Sequence, residues 1–588
     1  MNKLIQKQKN GLLAMAFILL PAMLHAQDAN QIYVTDSGVS VRAGTNVCEI
    51  VGDKEYADLG DALVAVKNNQ TIRLLQNINY QRNFQSDSYG IRIEGKSITF
   101  DLNGFNLNVE IDDGAALVVT GAGSEVKLAG KGELNVTSKG LGGAGVVAQY
   151  GGKATVTNAI GGGGAEAHNN STVTVLGNTS STEDNFGYGI YASNNSIVTV
   201  YGNATGYNCG VRTRSNATVT VYGNVTIATS SDVLFNYAIY ADGNANVIIE
   251  GDVTGKYYGV YAINGSTVKV TGDVAGNNYG VIADSSSNVT IMGDAIGGSI
   301  GVSTSSNATV TVSGSVTGIA REGIHAIDGS KISVTGSVTG GTMIHGYGVY
   351  ARDNNTTVTV SSDVTGHQAV VSYKGSSVTV KGDVIANATT DVNYSNGVGT
   401  SENASVTISG NVSGHYGIYI MNNEATVTIG GDVSGVRAGV YIQENCSANI
   451  TIDGLIKVPD DGWFIGILTP WTQGSFIINH LLPTDNQLTS TKPGYLEYTD
   501  DKNYVWVKGG ITGTDNIQQS SSTLKASTQD GRLHVSGLTV GDLWTVYNLS
   551  GAIVYQNRAT AEEAVINLPA KGLYIIVSAG QSVKTGNF

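Results

Sequence analysis

Proline is absent between residues 22 and 458, and tryptophan is absent before Trp463. The 6 prolines are Pro21, Pro459, Pro470, Pro483, Pro493 and Pro569; the 4 tryptophans are Trp463, Trp471, Trp506 and Trp544. Proline has no N–H to give to a strand ladder, so a long proline-free run suits stacked strands. The same scarcity, with no Gly-X-Y period, excludes collagen. Only 3 cysteines are spread over 588 residues, which excludes a disulfide scaffold. Cys48, Cys209 and Cys446 share no metal-type spacing and read as small apolar residues. Charged side chains make up 14% of the chain, against ~25% in ordinary soluble domains, which disfavours a helix-rich protein. Cations number 33 against 47 anions, a net charge of −14. A phosphate backbone would be repelled, so no nucleic-acid partner is expected.

What the chain does have is 78 glycines and 41% hydrophobic residues, enough to bury a core and to argue against disorder. Residues 1–26 read as a secretory signal peptide. Lys3, Lys7 and Lys9 precede the apolar run Gly11 to Leu20, and Leu24-His25-Ala26 offers a cleavage site. No later segment is long and apolar enough for a transmembrane helix, so none is expected in the mature chain.

The chain repeats itself. Gly259-Val260-Tyr261-Ala262 runs through Asn264-Gly265-Ser266 to Val268-Lys269-Val270 and Gly272-Asp273-Val274, and the pattern returns at Gly280-Val281-Ile282-Ala283. The usual period is 21 or 22 residues from Gly189 to Gly439, lengthened by insertions in the coils starting at 210, 323 and 369. The second position is always Val or Ile and the fourth mostly small, while the third varies: Tyr191, Arg212, Tyr240, Tyr261, Ile282, Ser303, His325, Tyr350. Alternation of fixed apolar with variable residues is a period of two, hence a strand with one buried face. One such coil cannot bury its face alone, but stacked coils share a core. The expected fold is all-β: a right-handed parallel β-helix of ~21-residue coils, with a short capping helix before it and a small C-terminal β-sandwich after it. A leucine framework, the calcium-binding nonapeptide and propeller-length blades are all missing.

Residues 56–66 carry Leu59, Ala62, Leu63 and Val66 at helical spacing. They lead into Gln70-Thr71-Ile72-Arg73-Leu74-Leu75 and Ile98-Thr99-Phe100-Asp101-Leu102-Asn103-Gly104. This stretch resembles the start of pectate-lyase-like right-handed β-helix proteins, in which a short helix plugs the first coil. Near the other end, Trp544 to Tyr555 and Ile566 to Val577 alternate like sandwich strands. Their order resembles the C-terminal sorting domain of the type IX (Por) secretion route of Gram-negative bacteria. The ending Lys584 to Phe588 departs from that pattern by lacking a final β-rich stretch. The resemblance implies the type IX machinery as a partner and an extracellular, outer-membrane-surface location. The expected divisions are a signal peptide (1–26), an N-terminal cap (27–90), the β-helix (91–458), a C-terminal cap or linker (459–510) and the sorting domain (511–588).

Function would sit on the outward positions and loops. Tyr191, Tyr240, Tyr261, Tyr350, Tyr419 and Tyr441 share the variable column and could pack against sugar rings or a protein ligand. The best cluster of acid and base is Arg321, Glu322 and His325, followed by His345, Arg352 and Asp353; Arg321, Glu322, His325 and Asp353 are its leading members. A lyase pairs a base with an arginine, and a glycosidase pairs carboxylates, so these four are the catalytic candidates if there is an enzyme. Gly-Asp steps recur at Asp252, Asp273, Asp294, Asp383 and Asp432, with Asn178, Asn203, Asn224 and Asn411 at matching places. Interchange of Asp, Asn and Ser there points to turns rather than to a calcium ladder, and no cofactor or metal is expected. The leading expectation is a non-catalytic adhesin-like surface protein. A polysaccharide lyase or glycosidase and a structural surface-layer stalk are the alternatives.

Overall fold

In the computed structural model the described residues are 32–587, except for 36–37, 42–45, 82–87, 141, 183–186, 229–235, 388–394, 444, 468–475, 479–489, 500–501, 509–510, 514–523, 530–531, 549–552, 570–571 and 579–580. The leader reading of residues 1–26 lies outside them, as does most of the insertions in the coils starting at 210 and 369.

The chain is mostly β and winds into a parallel β-solenoid of about 16 turns, each of ~22 residues. One coil shows the plan. Tyr258–Ala262, Thr267–Val270 and Val274–Gly276 are its three strands. We call them the tyrosine strand, the threonine strand and the short strand. Each pairs in parallel with its counterpart a coil later: Val260 with Val281, Val268 with Val289, Val274 with Ala295. On the threonine face this pairing runs from Gln70–Leu74 to Tyr504–Val507. Parallel pairing on the tyrosine face also passes residue 458, because Trp463–Ile467 joins the strand before it.

The repeat columns explain the winding. Val260, Ala262, Val268, Val270 and Val274 are fully buried, as are their equivalents in the coils on either side. Fully burying one such side chain stabilises by ~1.5–3 kcal/mol, and coils share the burial. The turn after the tyrosine strand needs two consecutive left-handed residues: Asn194 and Asn195 at φ 55° and 59°, Asn264 and Gly265 at 53° and 75°. Asn and Gly tolerate that region best, which accounts for the Asn-Gly and Asn-Asn pairs. The turn after the threonine strand carries the Asp/Asn column. Asp252 Oδ1 accepts from the N–H of Asp273 at 2.9 Å, and Asp273 Oδ1 from that of Asp294 at 2.8 Å. Asn224 and Asn411 make the same bond, so the column demands an acceptor and not a charge.

The first coil is covered by a helix, Leu59–Ala65, with Asp58 as its N-cap accepting from the N–H groups of Gly60 and Asp61. Leu59, Ala62 and Val66 are buried against the coil. Among the described residues no helix is long and apolar enough to cross a membrane. At the C-terminus are two small antiparallel sheets. Lys525–Gln529, Arg532–Ser536 and Glu563–Asn567 form one; Leu543–Asn548, Ile553–Arg558, Gly572–Ser578 and Gln581–Asn587 form the other. Trp544, Leu533, Val546 and Ile576 fill their core. The final segment corrects the expected lack of a last strand: Gln581–Asn587 pairs antiparallel along Gly572–Ser578. The three cysteines are buried thiols, and burial raises those of Cys48 and Cys209 to about 12 and that of Cys446 to about 11.

A candidate ligand-binding face

The tyrosine strands carry two outward columns. One is the variable column: Tyr191, Arg212, Tyr240 and Tyr261 lie in register, as do His325 and Tyr350, and Tyr419 and Tyr441. The other was not foreseen. Tyr188, Tyr258 and Tyr279 stand one position before a glycine and Tyr237 before Ala238, with Tyr347, Tyr416 and Trp463 further on in the same column. A straight strand would turn Tyr258 inward if Tyr261 faces out. Here Gly259 and Val260 are both buried, so the alternation breaks and both tyrosines reach solvent. Gly259 allows this by close approach: a Cβ there would lie 2.5 Å from the carbonyl oxygen of Gly280.

The rings stack on each other along the rod. Tyr237 and Tyr258 are 4.8 Å apart at 9°, Tyr258 and Tyr279 5.5 Å at 18°, and Tyr240 and Tyr261 5.7 Å at 17°. Each ring spends its faces on its neighbours, so the surface shows ring edges and phenol hydroxyls. Burial among the other rings pushes Tyr237 and Tyr258 up to about 12.

The face falls into three groups. In the first, the Arg212 guanidinium lies 5.0 Å from the Tyr188 ring, 5.8 Å from Tyr191 and 5.5 Å from Tyr240. In the third, Tyr416, Tyr419 and Tyr441 pack together, and Arg437 sits 4.1 Å above the ring of Trp463.

The middle group holds the acid–base candidates. His325 packs on Tyr350 at 5.0 Å, and its Nδ1 is 3.7 Å from Glu322 Oε1. Glu322 occupies the second column, where coils such as those of Tyr279 and Tyr347 have tyrosine, and its side chain is 2% exposed. Arg321 donates to Glu322 Oε1 at 3.0 Å, while Glu322 Oε2 is buried without a partner. Asp353 lies apart. It pairs with Arg352 at 3.0 Å in the turn, three residues past the Tyr350 that neighbours His325, or about 10 Å along the strand. The structure thus gathers Arg321, Glu322 and His325 and leaves Asp353 outside.

No protein-family profile matches the chain, and no curated protein is similar to it in sequence.

Proposed function

We propose that the chain is a secreted, surface-attached rod of adhesin-like type that binds a glycan or protein ligand along its tyrosine face without turnover. The observation that carries this is where the coils differ. Their inward residues stay small or β-branched, with Val or Ile at the second position and Ala, Thr or Ser mostly at the fourth, while the outward column changes from Tyr191 to Arg212, Ile282, Ser303 and His325. A scaffold selected only for stacking has no need of that variation on one face. The resemblance of the last residues to a type IX sorting domain supports export to the outer-membrane surface of a Gram-negative bacterium. The resemblance of residues 50–110 to pectate-lyase-like proteins supports a right-handed helix of that kind.

Glycan-array and protein-overlay binding by the purified chain tests the reading. Binding that falls when Tyr240 and Tyr261 are both changed to Ala supports it; no binding to any surface leaves a structural stalk. A second reading, a polysaccharide lyase or glycosidase, is favoured by the meeting of Arg321, Glu322 and His325. Release of oligosaccharides by the wild type, lost in His325→Ala, would establish the enzyme instead.

A further inference from the structure

Among the described arginines of the solenoid, most are matched to acids, Arg92 to Glu94 at 2.8 Å among them. Arg73 is 2.8 Å from Asp101, Arg214 3.5 Å from Asp242, Arg321 3.0 Å from Glu322 and Arg352 3.0 Å from Asp353. Arg212 and Arg437 are exceptions: among the described residues neither has a carboxylate oxygen within 4.0 Å. Both sit on the tyrosine face, and both are held by aromatic rings. Arg212 donates from Nη1 to the Tyr188 hydroxyl, and its Nε is buried with no partner. Arg437 is exposed, and its charge joins burial in lowering the pKa of His415 beside it. Ring stacking fixes a guanidinium by its face and leaves its N–H edge for a planar or tetrahedral anion.

Spacing between the two is set by the coil. Arg212 is followed in register by Tyr240, Tyr261, Ile282, Ser303, His325, Tyr350, Val371, Gly399, Tyr419 and Tyr441. Tyr441 belongs to the same strand as Arg437. Ten steps of ~4.8 Å separate the two groups by roughly 48 Å.

We propose that the face binds an acidic glycan, a sugar chain carrying carboxylate or sulfate groups, laid along the rod and gripped at two stations, Arg212 and Arg437. This rests on the ligand-binding reading of the face and names the ligand's chemistry and length. Each station alone makes one solvent-exposed ionic contact beside ring edges, which is weak. A chain long enough to reach both gains from the high effective concentration of its second contact. Between the stations, phenol hydroxyls and Ser303 suit the hydroxyls of the intervening sugars.

The test is binding of the full chain to immobilised polyuronate, to a sulfated polysaccharide and to a neutral polysaccharide of similar length, with tetrasaccharides of each acidic chain as competitors. Expected is binding to at least one acidic polymer, at least about tenfold tighter than to its tetrasaccharide. Either Arg212→Gln or Arg437→Gln should reduce polymer binding to the tetrasaccharide level, while Arg212→Lys keeps the charge and guards against misfolding. The two acidic arms tell carboxylate from sulfate. Equal binding of the neutral polymer, or polymer binding unchanged in both Gln variants, overturns the acidic assignment while glycan binding stands. Tetrasaccharides that compete as well as polymer overturn the two-station arrangement. Binding to no glycan overturns both this and the glycan-binding reading beneath it.

Discussion

Tyr237 and Tyr258 lie face to face one coil apart, 4.8 Å between ring centroids and 9° from parallel. Each ring desolvates the other's hydroxyl, and both pKa values rise to about 12. The folded state therefore holds these protons more tightly than the unfolded chain, whose tyrosines titrate near ~10. Stability from this source is complete below pH ~10 and falls as pH rises toward about 12. Spectrophotometric phenol titration beside thermal melts checks this. A single titration near ~10 with no loss of Tm above it would contradict the stacking.

The acceptor column makes a sharper statement. Asp273→Ala strips the Asp294 N–H of its 2.8 Å partner and should cost about 1 kcal/mol. Asp273→Asn keeps an acceptor and removes repulsion from Asp252 and Asp294 in the same column, so it should be neutral or slightly stabilising. Thermal melts of the two variants compare them. Equal losses would mean that the charge itself matters.

Glu322 puts an acid in a column that holds tyrosine in many coils, and that buried acid is balanced by one arginine. Arg321→Met leaves that carboxylate unpaired and should cost about 2 kcal/mol. Glu322→Tyr restores the residue type of Tyr279 and Tyr347 and should raise the melting temperature, alone or on the Arg321→Met background. A lower Tm for Glu322→Tyr would show that the acid is built into the packing.

Glycine at the end of the short strand should be required only where the chain turns at once. A Cβ on Gly255 would lie 1.8 Å from the carbonyl oxygen of Tyr258, three residues on. Gly255→Ala should cost about 2 kcal/mol through that clash. The matching positions Ile227 and Ala386 already bear side chains, and there insertions delay the return to the next tyrosine strand. Inserting a flexible loop after residue 255 should rescue Gly255→Ala; failure of that rescue would place the constraint elsewhere.

The solenoid was legible because its demands recur: a buried Val at 260 returns at 281 and 302, and an acceptor at 252 returns at 273 and 294. The second tyrosine column was not. Alternation counted backward from Val260 puts Tyr258 inside, and only the backbone bend at Gly259 turns it out. Its signal was present as the recurrent Tyr-Gly dipeptide at 188, 258, 279, 347 and 416. Glu322 and His325 are neighbours in sequence, but the Arg321 bond and the burial of Glu322 depend on the coil around them. Asp353 was grouped with them by residue type, and the turn carries it away.

The bond from each Asp or Asn to the N–H of the following coil has a direction, and the coils of Asp252, Asp273 and Asp294 each present upward the same kind of acceptor that they receive from below. Coils are therefore interchangeable parts. Excising residues 259–279 would set Gly280 after Tyr258 and leave Asp252 facing the N–H of Asp294, one rung shorter but with no gap in the ladder. Rod length becomes a quantity that recombination can change in whole coils, ~4.8 Å at a time, without a folding penalty at the joint. Such a protein can retune how far apart two surface groups stand before a single side chain on either of them has changed.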